Sequence, residues 1–210
     1  MKEAAPRRTD VEGFVLAGGA ASRMGRDKAL ADWRGRPLLA WALDSLAEAG
    51  VAAAVVAPDA ARFAGLCARF VTTETPGLGP AEGLRAALAA CRAPWALVLA
   101  VDMPLVGAAL LGPLLAAAAE LDAAAGSHGA VCWGGSDGGA QPLPALCRRD
   151  LLATLDAAPR GGPLRRALDA ARPLTLGPER LPPGFPQPLA VALRSLNSPA
   201  DLRIPGRDQP

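Results

Sequence analysis

Residues 14–28 read FVLAGGAASRMGRDK, and the fold follows from how this stretch is parsed. Phe14, Val15, Leu16 and Ala17 form a short, continuously apolar run, the pattern of a buried strand. The run breaks at Gly18-Gly19, passes through small residues and ends in Arg23, Gly25 and Lys28. Adjacent glycines remove two Cβ atoms where the chain leaves the strand, so backbone N–H groups can approach an anion closely. Arg23 offers a planar fork and Lys28 a point charge, both suited to phosphate oxygens. The stretch therefore predicts a nucleotide-phosphate site at the carboxyl end of the first strand. Two better-known glycine loops are excluded by spacing. The glycines are adjacent, so G-x-G-x-x-G is absent, and Lys28 lies between Asp27 and Ala29, so the P-loop pattern is absent.

Outward from this stretch, apolar runs alternate with helical patterns. Residues 51–57 read as a second strand, 70–73 as a weaker third, and 95–101 (WALVLAV) as the clearest of all. Residues 129–133, 143–146 and 189–193 read as further strands. Helices are expected over 37–49 with Gly50 as the stop, from a cap at Asp59 to about residue 68, and over 80–91, 110–124, 149–157 and 164–171, with a last turn at 198–202. The proline-rich segment 173–188 reads as a surface loop. This alternation predicts an α/β fold with a mostly parallel, Rossmann-like sheet and helices on both faces. A single domain is expected over residues 1–210, its ordered core over about 12–203 and its tails loose. In such sheets ligands bind beyond the carboxyl ends of the strands, so the Gly18 loop, the Gly79 loop and Asp102 should share one rim.

Composition narrows the function classes. The hydrophobic fraction is 51% and the charged fraction 20%, which is globular rather than disordered. A net charge of +2 and an aromatic content of 4% without tyrosine argue against a nucleic-acid surface. Cys67, Cys91, Cys132 and Cys147 are far apart and, with His128 the only histidine, build no zinc site of the usual spacing. They read as small buried hydrophobes in a reducing compartment. The first residues carry no apolar signal region, and no stretch reads as a convincing membrane span, so a cytoplasmic protein without a membrane partner is expected.

Asp102 is the sharpest single residue. A carboxylate directly after a buried strand must leave the core or find a strong partner. It can hold a divalent cation, since Mg²⁺ takes one or two carboxylates together with water and substrate phosphates. It can equally cap the segment after Pro104. Asn197 has the same two-sided character: it can contact a substrate, or cap the last turn.

Several blocks resemble the molybdenum cofactor guanylyltransferase family, across about residues 12–203. LAGG at 16–19 followed by Arg23-Met24-Gly25 and Lys28 is similar to the family's LAGGxSxRMGxDK, with Ala21 where a serine is common. Asp102-Met103-Pro104 resembles its D-x-P metal motif, and Gly79-Pro80 with Gly83 its GPLAGI/L block. Thr73 and Glu74 stand where the family's guanine-reading aspartate is usual, and Ala57-Pro58 where an asparagine is common. Gln141-Pro142-Leu143 resembles a block on the second substrate's side, and Asn197 matches the second asparagine of the family's NxNTPEDL terminus. The resemblance implies a nucleotide-diphospho-sugar transferase type of fold and transfer of GMP from GTP to molybdenum–molybdopterin, with Mg²⁺ as cofactor. It implies catalysis by Lys28, Arg23 and Asp102, with Asp102 as the metal ligand. The nucleotide would be bound by Leu16, Ala17, Gly18, Gly19, Lys28, Gly79 and Asp102, and the second substrate by Gln141 and Asn197. The partners implied are GTP, molybdopterin, a molybdenum insertase and molybdoenzyme maturation proteins. A cytidylyl or sugar-phosphate transferase on the same fold, and a non-catalytic nucleotide or pterin carrier, are the alternatives.

Overall fold

The computed structural model describes residues 8–18, 27–73, 75, 77–124, 128–135, 138–198 and 200–203. Strand β1 (Val11–Leu16) is followed by a short hairpin of β2 (Asp32–Trp33) and β3 (Arg36–Pro37), then helix α1 (Leu38–Glu48). β4 (Ala52–Ala57), β5 (Phe70–Thr72), α2 (Pro80–Ala90), β6 (Trp95–Ala100) and α3 (Ala108–Ala123) continue the alternation. β7 (Ala130–Gly134), β8 (Ala140–Arg148), α4 (Leu151–Asp156), α5 (Leu164–Ala170), β9 (Leu174–Leu176) and α6 (Leu189–Ala192) complete it.

Among the described residues, seven strands form one sheet in the order β5-β4-β1-β6-β8-β7-β9. β1 is the third strand of this order, paired in parallel with β4 through Leu16↔Val56 and with the central β6 through Leu16↔Ala100. β4–β5 and β7–β9 are also parallel, and β8 runs antiparallel to both its neighbours. The strands read as apolar runs because both faces are covered. α1 packs on β1 and β4 beside α3, while α2 covers the other face of β1, β4, β5 and β6 beside α4 and α5. Phe14, Val15, Val55, Leu97 and Val98 are fully buried between these layers. The expectation of a mostly parallel α/β sheet with helices on both faces is met.

Four local expectations are corrected. Residues 189–193 form helix α6, not a strand: only Ala192 and Leu193 are buried, while Val191 is 45% exposed, so one side of the run meets the core. A five-residue apolar run carries too few repeats to separate the two periods. The helix expected from Asp59 to residue 68 is a 3-10 turn over Ala60–Phe63, and the Asp59 side chain makes no capping bond. The loop at 173–188 contains β9, whose Thr175 pairs with Cys132. The strand expected at 143–146 extends over Ala140–Arg148. Its Pro142 and Pro144 fall where the β7 register shifts between Cys132 and Gly134, so no ladder donor is lost there. Of the expected loose tails, residues 1–7 and 204–210 lie outside the described residues, while Arg8 N donates to Gly50 O at 2.9 Å and Val11 already belongs to β1.

Candidate active site

The parallel strands β1, β4, β5 and β6 all end on one edge of the sheet, and the loops beyond them build the site. The backbone leaving β1 is fixed on both sides. Ala17 N donates to Val56 O at 2.9 Å, and Val101 N donates to Leu16 O at 3.2 Å. Gly18 follows against Pro58, where an added Cβ would sit 3.1 Å from the Pro58 Cδ. A side chain here would have to push Pro58 aside by a few tenths of an ångström.

A cavity of about 580 Å³ opens beside this turn. Leu16, Val56, Pro58 and Leu78 give it apolar walls, and Thr73, Gly79, Glu82 and Gly83 line the α2 side. Gly79, at the N-cap of α2, has φ 84 and ψ −173, a conformation open essentially to glycine alone. Leu16, Gly18 and Gly79, expected to bind nucleotide, therefore face one cavity. Ala17 is buried and spends its N–H on β4, so it shapes the turn.

At the end of β6 the chain turns so that Asp102 meets Lys28. The Lys28 ammonium donates to Asp102 Oδ2 at 2.6 Å and to Asn197 Oδ1 at 2.8 Å. The Lys28 and Asp102 side chains are 27% and 18% exposed, so the pair is partly shielded from water. Asp102 Oδ1 is buried and has no hydrogen-bond partner among the described residues. Asn197 is brought here because Leu196 N donates to the Asp102 carbonyl at 2.8 Å. The helix-cap alternative for Asp102 is not what the side chain does: α3 begins only at Ala108, and its N-cap is Gly107.

Two positioning residues carry no signal that sequence reasoning used. Asp27 Oδ1 accepts from Ala29 N at 3.0 Å and caps the 3-10 turn Lys28–Leu30 that aims Lys28. Its other oxygen lies 2.9 Å from the Arg62 guanidinium, at the cavity's edge. Asp201 Oδ2 accepts from Asn197 N, Ser198 N and the Ser198 hydroxyl, at 3.0, 2.9 and 2.8 Å. The Ser198 hydroxyl, followed by the Asn197 N–H, lowers the Asp201 carboxyl to about 2. An aspartate directly before Lys28 and the Ser-x-x-Asp spacing at 198–201 are the sequence traces of these two caps.

Gln141 does not join the cluster; it borders a separate hollow of about 260 Å³ with Gly134, Pro178 and Leu193. Gly19, Arg23 and Glu74 lie outside the described residues. Among the described residues, no group of three or more His, Cys, Asp or Glu could hold a metal ion, and no helix is long and apolar enough to cross a membrane.

A family model described as a MobA-like NTP transferase domain matches residues 13–174. This chain belongs to the MobA-like NTP transferase family. A probable molybdenum cofactor guanylyltransferase of Chloroflexus aggregans is 35% identical over 199 residues, covering 92% of each chain. A molybdenum cofactor guanylyltransferase of Xanthomonas euvesicatoria pv. vesicatoria is 48% identical over 105 residues, 50% of this chain and 53% of that one. The match thus spans about half the length of the Xanthomonas relative. Among solved structures, molybdopterin-guanine dinucleotide biosynthesis protein A of Archaeoglobus fulgidus gives a TM-score of 0.71 at 23% identity, over 91% of this chain and 95% of that one. That likeness is one of fold. For a MobA-like chain, Lys28 and Asp102 fall inside the matched segment, and Asn197 beyond it.

Proposed function

We infer that this chain transfers GMP from GTP to the terminal phosphate of molybdenum–molybdopterin and releases pyrophosphate. Family membership supports nucleotidyl transfer, and the printed names of the relatives support the guanylyl member. The single observation that carries the reading is the meeting of Lys28, Asp102 and Asn197 beside the cavity at the end of β1.

In this reading a phosphate oxygen of the pterin attacks the α-phosphorus of GTP in line. The new P–O bond forms as the bond from the α-phosphorus to the bridging oxygen breaks, and pyrophosphate carries that electron pair away. The attacking group is already an anion, so no protein nucleophile is required. Catalysis is then positioning and charge neutralisation. Lys28 has three donors, of which Asp102 and Asn197 take two, leaving one for a phosphate oxygen. Arg23 adds a second cation on sequence grounds. Gly18, with Gly19, lets the backbone close on the nucleotide, and Leu16 lies along the base.

The residues present fit a hard cation: Asp102 keeps one buried oxygen without a partner among the described residues while Lys28 fixes the other. Asp102 would hold Mg²⁺, which when bound neutralises charge on the reacting phosphate. Asn197 would face the pterin side, with Gln141 further along the rim. A cytoplasmic setting, with an insertase and maturation proteins as partners, belongs to the same reading.

The test is pyrophosphate release with Mg²⁺ and each of GTP, CTP, ATP and UTP, with and without molybdopterin. Release with GTP that depends on the pterin is expected. Preference for CTP would move the chain to the cytidylyl reading, and no release with any nucleotide would favour a carrier.

A further inference from the structure

The turn Arg160-Gly161-Gly162 joins α4 to α5 and lies against the α2 wall of the nucleotide cavity. Gly161 and Gly162 have φ of 84 and 96, so the backbone doubles back there in a shape that favours glycine. A Cβ on Gly161 would lie 3.5 Å from the Leu78 carbonyl oxygen and 3.8 Å from the Leu78 side chain. A Cβ on Gly79 would lie 3.9 Å from the Gly162 carbonyl oxygen. Leu78 and Gly79 line the nucleotide cavity, so this turn backs the loop that faces it.

Charge ties the turn to α2. A hollow of about 350 Å³, lined by Ala81, Glu82, Arg160 and Gly162, lies between the turn and the first residues of α2, so apolar packing does not hold the two together there. Arg160 donates to Glu82 Oε1 at 2.9 Å. The Glu82 side chain is 4% exposed, and its other oxygen pairs with Arg85 Nε at 3.5 Å, so the carboxylate is held on the side of α4 and α5. A buried carboxylate depends on such cations, which makes it a firm anchor for them. The backbone of the same residue fixes the loop: Glu82 N donates to Gly79 O at 3.2 Å. A ring of contacts results, from the Gly79 carbonyl to the Glu82 amide, from the Glu82 carboxylate to Arg160, and from Gly162 back against Gly79. Gly79 has no side chain to hold it at φ 84 and ψ −173, so its shape depends on what surrounds it.

We propose that Arg160 is a positioning residue for nucleotide binding: anchored on Glu82, it holds the Gly161-Gly162 turn against Leu78-Gly79 and keeps that wall of the cavity in its binding shape. This rests on the nucleotidyl-transfer reading above and adds to it a residue remote from the reacting phosphates. Arg160 lines the hollow behind the wall, so it acts through Glu82 and Gly162 rather than on the nucleotide. Its loss therefore weakens every nucleotide alike, whatever the number of phosphates, and spares the chemical step.

The experiment is equilibrium binding of GTP and GMP to the full chain with Mg²⁺, together with kcat and KM for GTP in pyrophosphate release. The proteins are wild type, Arg160→Ala, Arg160→Lys and Gly161→Ala, with folding matched by circular dichroism. Arg85 stays beside Glu82 in Arg160→Ala, and the Arg160 side chain is 46% exposed, so that variant should fold. It should weaken GTP and GMP by the same factor, about tenfold, with kcat at saturating GTP within about twofold of wild type. Arg160→Lys, which keeps a cationic donor for Glu82, should recover most of the loss. Gly161→Ala, strained at φ 84 and pressed against Leu78, should weaken both nucleotides while the Arg160–Glu82 bond remains. Wild-type affinity in the folded Arg160→Ala protein would overturn the proposal. So would weaker GTP binding with unchanged GMP binding, the mark of a direct phosphate contact, or a fall in kcat alone. A wild-type chain that binds neither nucleotide would overturn the nucleotidyl-transfer reading itself, and this proposal with it.

Discussion

Lys28 is where three distant parts of the chain converge: its partners lie 74 and 169 positions away. A flexible ammonium held by two oxygens in a half-buried site is pre-positioned, and pre-positioning is what charge neutralisation in a transition state needs. Lys28→Ala should lower kcat/KM by about a hundredfold or more, seen chiefly in kcat. Lys28→Arg should not restore it, because a planar fork cannot reach both Asp102 and Asn197 as a point charge does. Steady-state kinetics on the two variants checks both statements. Gly79 makes a different demand. Its φ of 84 with extended ψ cannot be met by alanine without strain. Gly79→Ala should cost roughly 1–3 kcal/mol in denaturant unfolding and raise the KM for nucleotide.

Among the elements, the loop after α6 owes its shape to one carboxylate. Asp201 gathers the Asn197 and Ser198 amides and the Ser198 hydroxyl, and Arg194 bonds its other oxygen at 2.6 Å. Its carboxyl is lowered from 3.8 to about 2, first by the Ser198 hydrogen bond. The sign follows from the ionised form being the bonded one. The contribution is complete above pH about 4 and is lost as the pH falls through about 2. The Asn197 and Ser198 amide resonances should therefore titrate near pH 2, and a midpoint near 3.8 would show the loop unbound. Asp201→Ala should leave the fold intact yet release Asn197 from Lys28, lowering turnover. The α2–α4 contact behaves as a buried network instead. Arg85 donates to Asp156 and the Leu155 carbonyl and pairs with Glu82. Arg85→Ala should destabilise by roughly 3 kcal/mol in urea unfolding, because it removes the cation beside a buried carboxylate.

At the scale of the whole molecule, the sheet was legible because its central strands are continuous apolar runs with abrupt ends: FVLA stops at Gly18-Gly19, and WALVLAV stops at Asp102. Those same ends named Lys28, Asp102 and the Gly79 loop, since parallel strands deliver their exits to one edge. β9, with three residues, and α6, with four, are too short to show a period, and both were misread. Glu82 was illegible for another reason: its pairing with Arg160 spans 78 positions and exists only in the folded chain. The thiols follow the sequence reading more simply. Cys91, Cys132 and Cys147 are buried, and burial pushes the first two up to about 11. A native-state thiol assay should label only the half-buried Cys67, and denaturation should expose all four. The central claim is that Asp102 and Lys28 form the centre of guanylyl transfer. Its most direct test is transfer of α-phosphate-labelled GMP from GTP to molybdopterin by wild-type and Asp102→Asn protein, with folding matched by circular dichroism. The wild-type chain should transfer label and release pyrophosphate, and the folded variant should do so at least about a hundredfold more slowly; equal rates for the two would contradict the account.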